Sequence, residues 1–223
     1  MKAKRSYNDP CGLARALDMV GERWALLVVR ELLLGPKRFR DLARGLTGMS
    51  ENVLSARLGE LEDARIVRRR TLGPPVSARV YELTDYGAEL ELALLALARW
   101  GSRIPTTVDG ELSTDALMLA LKTTFVPGRA RGFSARIELQ LPPEVYKAEV
   151  SDGLFNVQRG AAAQPTAILS TDPATLGALT LGGRRLETAL AVGDASLQGD
   201  PDTTALFLSC FPQPATVDID EGR

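Results

Sequence analysis

Residues 50–61 read Ser-Glu-Asn-Val-Leu-Ser-Ala-Arg-Leu-Gly-Glu-Leu, and this segment decides the fold of the first half of the chain. Ser50 suits a helix N-cap and Glu51 suits the positive end of a helix dipole, so we predict a helix over about 51–63. Leucines spaced one turn apart mark its buried stripe: Leu54, Leu58 and Leu61. The opposite face carries small and polar side chains: Asn52, Ser55, Ala56 and Gly59. Such a face can approach another surface closely while still offering hydrogen-bonding groups.

Three more helices are predicted before this segment. Apolar periodicity begins near Cys11, an almost wholly apolar stretch over about 24–34 stops at Gly35-Pro36, and a third helix covers about 38–46. After the segment, two strand-like stretches at 66–71 and 79–83 flank a turn-rich tip. A helix, a turn, a helix and a basic hairpin follow the order of a winged helix-turn-helix. In that fold the second helix of the turn enters the DNA major groove, and the hairpin reaches the flanking backbone.

The charge of the 223-residue chain is divided unevenly. The net charge is −1, but residues 1–101 carry 17 Lys and Arg against 13 acids, whereas residues 102–223 carry 10 against 15. Segment 37–79 has 10 basic against 5 acidic residues. This asymmetry suggests two domains, one of which meets a polyanion. An ordinary charged surface is the alternative that charge alone leaves open.

Composition excludes several chemistries. The chain has no histidine and two cysteines, Cys11 and Cys210, which rules out His-based acid–base catalysis and the usual Cys/His zinc sites. We therefore expect a protein that is not an enzyme and needs no metal and no cofactor. No charged segment followed by an apolar stretch opens the chain, and charges interrupt its longest apolar runs. We expect a cytoplasmic protein without a membrane partner.

Residues 11–101 resemble the HxlR family of winged-helix regulators, a branch near the MarR-type proteins. The matching segments are Cys11, 21–27 (GERWALL), 30–32 (REL) before Gly35-Pro36, 38–42 (RFRDL), 50–61, 81–84 (YELT) and Trp100-Gly101. The resemblance implies a homodimer that binds a pseudo-palindromic double-stranded DNA operator. It also implies that the helix matching 51–63 reads the DNA together with a wing matching 69–80.

Candidate DNA contacts follow from that arrangement. Candidates for the major groove are Ser50, Asn52, Ser55 and Ala56. Candidates for the sugar-phosphate backbone are Arg38 and Arg40, at the start of the third helix. Candidates for the wing contact are Arg70, Pro74, Pro75, Ser77 and Arg79. Arg57 has two interpretations, since it either reaches a phosphate or pairs with Glu60 three residues further along the same helix.

Two other features of the first half bear on regulation. A helix over 85–100, capped by Thr84, is rich in leucine, and we interpret it with the first helix as a dimerisation surface. Packing against the chain's own second half is the alternative. Some HxlR-type proteins sense electrophiles or oxidants through a cysteine near the position of Cys11. A helix N-terminus and Arg15 would lower the pKa of this thiol, but a buried, inert cysteine remains the other interpretation.

The second half changes to an α+β pattern, so the predicted fold class is α+β: a winged helix-turn-helix followed by an antiparallel sheet covered by helices. A helix over 114–124 precedes an alternation that starts at Phe133. Strands follow near 145–150, 154–158 and 166–170, with Asp152-Gly153 as a hairpin turn. Asp172-Pro173 starts a helix to about 181. The remaining predicted elements are a helix over 184–191, a strand over 195–198 and a helix over 202–211.

This half resembles the sterol carrier protein type 2-like domain, mainly in 172–176 (DPATL), 190–194 (LAVGD), 197–200 (LQGD) and 207–211. The resemblance implies a cavity for lipids or other apolar molecules. Candidate lining residues are Phe133, Ile137, Leu139, Tyr146 and Phe155, for which a role in the core is the alternative.

We therefore predict a DNA-binding transcriptional regulator, mainly a repressor, whose operator affinity is modulated by a small apolar or lipid-like effector in the C-terminal half. The predicted domains are 1–101 for DNA binding and dimerisation, 102–113 as a linker, 114–215 for the effector, and a tail over 216–223. One alternative is a ligand-free dimerisation or partner-docking module in the second half. The other is redox sensing through Cys11.

Overall fold

The computed structural model of the chain describes residues 6–73, 77–105 and 112–217. The chain divides into two compact units, Met1–Leu94 and Leu95–Arg223, and the division falls inside one helix. Within the described ranges, no helix combines the length and the apolar character needed to cross a membrane.

The first unit is a set of helices followed by a two-stranded hairpin. Its elements are α1 (Gly12–Val20), α2 (Ala25–Leu32), α3 (Phe39–Gly45), α4 (Glu51–Asp63), β1 (Val67–Thr71), β2 (Arg79–Leu83), α5 (Asp85–Ala88) and the start of α6 (Leu90–Gly101). The leucine stripe of α4 is buried as its spacing predicts, and it joins apolar side chains of α2 and Ile66 in one core. Burial of this stripe fixes the opposite face of α4 outward, because a helix presents its two faces in opposite directions.

The predicted helix over 85–100 is interrupted at Glu89, which separates α5 from α6. Thr84 caps α5 by accepting from the Gly87 N–H at 3.0 Å, and its hydroxyl donates to the Arg65 carbonyl at 2.7 Å. Gly87 lies so close to the strand entry that a Cβ there would be 2.9 Å from the carbonyl carbon of Ile66. The short helix α5 is therefore held against the start of the hairpin, and α6 begins as a separate helix at Leu90.

The second unit is a five-stranded sheet with helices, which confirms the α+β prediction. Its elements after α6 are α7 (Thr114–Thr124), a 3₁₀ turn (Pro127–Ala130), β3 (Ala135–Leu141), β4 (Glu144–Ser151), β5 (Leu154–Arg159), β6 (Ala167–Thr171), α8 (Pro173–Thr180), α9 (Leu186–Val192), β7 (Ala195–Gly199) and α10 (Pro201–Ser209). The strand order is β5-β4-β3-β6-β7. All neighbouring pairs are antiparallel except β3 and β6, which run parallel. The sheet is thus mostly antiparallel rather than wholly so.

The turn between β4 and β5 forms as its sequence predicts. Asp152 and Gly153 have φ values of 53° and 73°, and Ser151 pairs with Leu154 across the hairpin. Positive φ at both central residues is the geometry in which an Asp-Gly pair matches the twist of two antiparallel strands. This turn sets the register of β4 against β5.

The prediction that the strand alternation starts at Phe133 is wrong. Phe133 precedes β3 and donates its backbone N–H to the Ala130 carbonyl at 3.2 Å, as part of the turn that follows the 3₁₀ segment. Gly132 has a φ of +70°, a conformation that redirects the chain before the strand. The side chain of Phe133 therefore does not share a strand face with Ile137.

Candidate nucleic-acid interface

The outward face of α4 carries the residues predicted for the major groove. Ser50 caps the helix, and its hydroxyl accepts from the Val53 N–H at 3.4 Å. Asn52, Ser55 and Ala56 are all exposed on the face opposite the leucine stripe. The helix thus offers exposed amide and hydroxyl groups, with the longer side chains of Glu51 and Glu60 beside them. Amide and hydroxyl groups on such a face can contact base edges.

Arg57 makes an ion pair within the protein. Its guanidinium pairs with Glu60 on the same helix and lies 3.8 Å from the Glu22 carboxylate. Only 11% of the side chain is exposed. Among the described residues, the Arg57 Nε has no hydrogen-bond partner. Of the two interpretations of Arg57, a phosphate contact or an ion pair with Glu60, the structure shows the ion pair.

The start of α3 presents the two arginines predicted for the DNA backbone. Arg38 occupies the N-cap position of α3 and is half-buried, whereas Arg40 is exposed. Arg40 and Arg44 each lie 3.8 Å from the Asp41 carboxylate. Arg44 is as exposed as Arg40. Sequence reasoning missed it, because its position depends on how α3 is rotated about its axis.

The hairpin places its arginines on two faces. Arg70 pairs in register with Val80, whereas Arg79 pairs with Thr71, so the side chains of Arg70 and Arg79 point to opposite faces. Both side chains are exposed, as is Ser77, whose φ is +38°. Pro74 and Pro75, also predicted for the wing contact, lie outside the described residues.

A buried cluster that sequence reasoning missed joins α2 to the hairpin. The Glu31 carboxylate is 0% exposed, and it accepts from the Lys37 ammonium at 2.7 Å and from the Arg30 guanidinium at 2.8 Å. Lys37 also exchanges two backbone hydrogen bonds with Tyr81 of β2, at 3.0 and 2.8 Å. The loop that leads into α3 is therefore tied to both α2 and the wing, which fixes the two elements relative to each other.

Cys11 is exposed at the N-cap of α1. The backbone N–H groups of Ala14 and Leu13 lower the pKa of its thiol, because they stabilise the thiolate. Cys210 has the opposite environment, since burial raises the pKa of its thiol. Cysteine reactivity follows the thiolate fraction and exposure, so the two thiols differ in both respects.

Of the residues predicted to line an effector cavity, three lie in the buried interior of the second unit, whereas Phe133 and Phe155 are half-buried. Ile137, Leu139 and Tyr146 are each 0% exposed. Phe155 stacks against Phe125 at a centroid distance of 5.6 Å and also packs against two further rings, Phe207 and Phe211. Leu139 and Tyr146 are also partners in the register of β3 against β4, so the buried residues are placed as core residues are.

Tyr146 also belongs to a buried polar cluster. Its hydroxyl donates to Glu144 at 2.6 Å, and the Arg159 guanidinium lies over its ring and bonds Asp115 at 2.6 Å. Burial, together with the neighbouring Asp115 charge, raises the pKa of the Tyr146 phenol. Tyr146 is thus a core residue with a satisfied polar end.

A cavity of about 460 Å³ lies elsewhere in the second unit, between the end of α8, the start of α9 and the end of α10. Apolar side chains of Leu179, Leu208 and Phe211 contribute to its lining, together with Arg129 and Arg185. Its size falls in the range of small-molecule sites. In the part of the chain that the structure describes, no group of three or more acidic or cysteine side chains could hold a metal ion.

A helix capped by Ser50, with a small polar outer face and a basic hairpin after it, is the arrangement of the winged helix-turn-helix fold. Comparison with known sequences agrees: residues 19–108 match the HxlR-like helix-turn-helix family. The regulator YodB of Bacillus subtilis is 32% identical over 40% of this chain and 79% of its own length. The chain belongs to the HxlR-like family.

Two more comparisons cover similar shares of this chain, 40% and 45%. The uncharacterised regulator Rv3095 of Mycobacterium tuberculosis is 39% identical over 40% of this chain. The matched part of this chain spans 56% of the length of that relative. The solved structure of the reduced form of YodB covers 45% of this chain and 100% of its own, at 29% identity and a TM-score of 0.39.

Proposed function

We propose that this chain is a DNA-binding transcriptional regulator, mainly a repressor, that acts as a homodimer. The observation that carries the proposal is the outer face of α4, where Asn52, Ser55 and Ala56 are exposed on a helix whose rotation is fixed by its buried leucines. Basic groups of α3 and the hairpin lie at the sequence positions that flank DNA in this fold. In this proposal, α4 reads base edges while the arginines hold the phosphates.

The homodimer is part of the proposal because one recognition helix covers only half of a two-fold operator. Two copies would present their α4 helices about 34 Å apart, one turn of B-DNA. Exposed leucines on α1 and α6 offer an apolar surface for this pairing. Leu13 is 68% exposed and Leu92 is 78% exposed, so both gain from being covered.

Selection from fragmented genomic DNA, followed by footprinting, tests the DNA-binding proposal. We expect a protected site with two-fold symmetry, and an affinity that falls steeply with salt. Replacing Asn52 or Ser55 with alanine should lose about 1–3 kcal/mol of discrimination at particular base pairs without changing the salt dependence. Binding that shows no sequence preference would contradict the regulator.

Sedimentation of the full chain tests the dimer. We expect Leu92→Glu to shift the dimer toward monomer, because it would place a charge inside the apolar surface. Leu154→Glu is the matched control, since Leu154 is 73% exposed but lies on β5 in the second unit. If both variants stay dimeric, the partner surface lies elsewhere than α6.

For the effector, we propose a small apolar or lipid-like ligand in the second unit, in the 460 Å³ cavity rather than in the sheet interior. The arguments are the size of the cavity and the tight packing around Phe155. Native mass spectrometry of the untagged protein tests this part, because a bound adduct on the dimer would reveal the ligand by mass. The ligand must also bind the two DNA-binding geometries with different affinity, since equal affinity shifts no population. Constant operator affinity in the presence of ligands that bind would exclude this coupling.

Redox sensing through Cys11 is a second candidate, favoured by the exposure of this thiol and its lowered pKa. Treatment with a quinone or a peroxide should then reduce DNA binding, and Cys11→Ser should abolish the response. Operator binding by the Cys11→Ser variant distinguishes effector binding from redox sensing. A ligand in the second unit would still change the operator affinity of this variant, whereas an oxidant would not.

A further inference from the structure

One face of the hairpin holds two arginines on a single carboxylate. Glu82 lies opposite Arg68 in the register, and its Oε1 accepts from the Arg68 Nε at 2.8 Å. The other oxygen, Oε2, lies 3.3 Å from the Arg70 Nε. Glu82 is almost wholly buried, whereas the two arginine side chains are 59% and 49% exposed. The carboxylate is therefore enclosed at the base of the pair, and the guanidinium groups extend toward solvent.

The atoms used in these contacts leave the outer ends of both arginines available. Each guanidinium approaches Glu82 through Nε, the nitrogen nearest the backbone. The two terminal Nη nitrogens of each side chain lie at the far end of the planar group. These are donors with the geometry that binds phosphate oxygens in pairs. Residues two apart on a strand also point the same way, about 7 Å from each other.

The other face of the same hairpin is engaged differently. Arg69 pairs with Glu62 of α4 at 2.9 Å, and its guanidinium lies 5.4 Å from the centre of the Tyr81 ring. Tyr81 packs against the core of the first unit, as does Val67 on the same face. Both faces are partly covered, since Val80 and Glu82, on the face of Arg68 and Arg70, are 3% and 7% exposed. Arg69 is 62% exposed and differs from the other two arginines in the acid that it contacts, Glu62 of α4.

We propose that Arg68 and Arg70 form the phosphate-binding pair of the wing, and that Glu82 is the residue that positions them. This inference rests on the proposed DNA-binding function and adds to it. It places the contact on the face that Arg68 and Arg70 share, and it adds Arg68 to the residues predicted for the wing. Glu82 fixes both side chains before DNA arrives, so less conformational entropy is lost on binding.

Fluorescence anisotropy of the full chain with a labelled 30-base-pair duplex of mixed sequence, measured over a range of salt concentrations, tests the pair. Arg68→Gln and Arg70→Gln should each flatten the plot of log K against log salt by about 0.9 for every wing that touches DNA. Arg69→Gln is the matched control, with the same change of charge on the neighbouring residue. We expect it to change the slope less, because the Arg69 guanidinium is held by Glu62 of α4. A slope that falls as much for Arg69→Gln as for the other two would overturn the assignment.

Glu82→Gln tests the positioning role through the sign of its effect. If Glu82 acts only through its charge, removing that negative charge beside DNA should strengthen binding, because it removes a repulsion. Loss of positioning weakens it, and we expect affinity to fall about 5- to 10-fold with the salt slope unchanged. Tighter binding by Glu82→Gln would overturn the positioning role.

The double variant Arg68→Lys/Arg70→Lys makes the same test without touching Glu82. Lysine keeps the charge but cannot contact Glu82 through one nitrogen and a phosphate through two others. The double variant should therefore keep the wild-type slope of log K against log salt but bind DNA more weakly. An unchanged affinity for DNA would contradict the role of the paired geometry. If the wild-type chain itself fails to bind the duplex, the proposed function fails, and that result is distinct from any difference among the variants.

Discussion

The carboxylate of Glu31 occupies the space that a side chain on Gly45 would need. A Cβ built on Gly45 would lie 2.8 Å from the Glu31 Cδ, and closer still to Oε2. The same Oε2 accepts from the Lys37 ammonium at 2.7 Å. The glycine at the end of α3 thus makes room for the buried charge cluster that ties α2 to the hairpin.

Gly45→Ala should accordingly destabilise the protein, although alanine is the better helix former. The methyl group would push Glu31 away from Lys37, and a disrupted buried ion pair costs roughly 3–5 kcal/mol. Urea unfolding measures the change in the free energy of unfolding. Gly59→Ala is the control, because nothing lies within 4 Å of its Cβ in α4 and the change should stabilise by about 1 kcal/mol. Equal effects of the two substitutions would show that Glu31 can move without cost.

Arg159→Met should be among the more damaging single substitutions in the second unit. It would leave the carboxylate of Asp115, which is 1% exposed, without the guanidinium that bonds it at 2.6 Å. The expected loss is about 3–5 kcal/mol in the free energy of unfolding. Arg136→Met provides the comparison, because the Arg136–Glu149 pair is exposed and should be worth less than about 1 kcal/mol. A small loss at both sites would mean that Asp115 is stabilised adequately by its other neighbours.

Acid should weaken the second unit in part through Asp172, the N-cap of α8. Its carboxylate accepts from the Thr175 N–H and the Thr175 hydroxyl, both at 2.8 Å, and the backbone bond to Thr175 is the main cause of a lowered pKa. A group whose pKa is lower in the folded state stabilises the fold above its unfolded pKa and loses that contribution as the pH falls. Stability should therefore decline below about pH 4.

Asp172→Asn tests this titration, because asparagine also caps helices but does not ionise. Thermal unfolding near neutral pH should differ little between the variant and the wild type. Between about pH 4 and pH 2 the variant should show a shallower decline. The same acid dependence in both proteins would assign the effect to other carboxylates.

Alkylation should distinguish the two cysteines of the native protein. Cys11 is exposed and its pKa is lowered, so iodoacetamide should modify it at a lower pH than it modifies a free thiol. Cys210 is 0% exposed with a raised pKa and should react only after unfolding. Mass spectrometry of peptides after timed labelling measures both rates. Modification of Cys210 at the rate of Cys11 would show that the end of α10 opens readily.

Features governed by neighbours in sequence could be predicted without the structure. The N-cap of α4 at Ser50, the leucine stripe behind it, the Asp152-Gly153 turn and the start of α8 after Asp172 are examples. Each depends on contacts within a few residues, so composition and spacing carry the information. The start of β3 was misjudged because an alternating apolar pattern does not reveal where the backbone turns, as it does at Gly132.

The sequence by itself determined the order of helices and strands, the outward face of α4 and the basic character of the hairpin. The tertiary structure alone decided which acid accompanies each arginine: Glu82 lies 14 residues from Arg68, and Asp115 lies 44 residues from Arg159. Such partners depend on strand register and packing, and a one-residue slip would send every side chain of a strand to the other face. For that reason the sequence placed Arg70 and Arg79 in one contact, and only the register of β1 against β2 separated them.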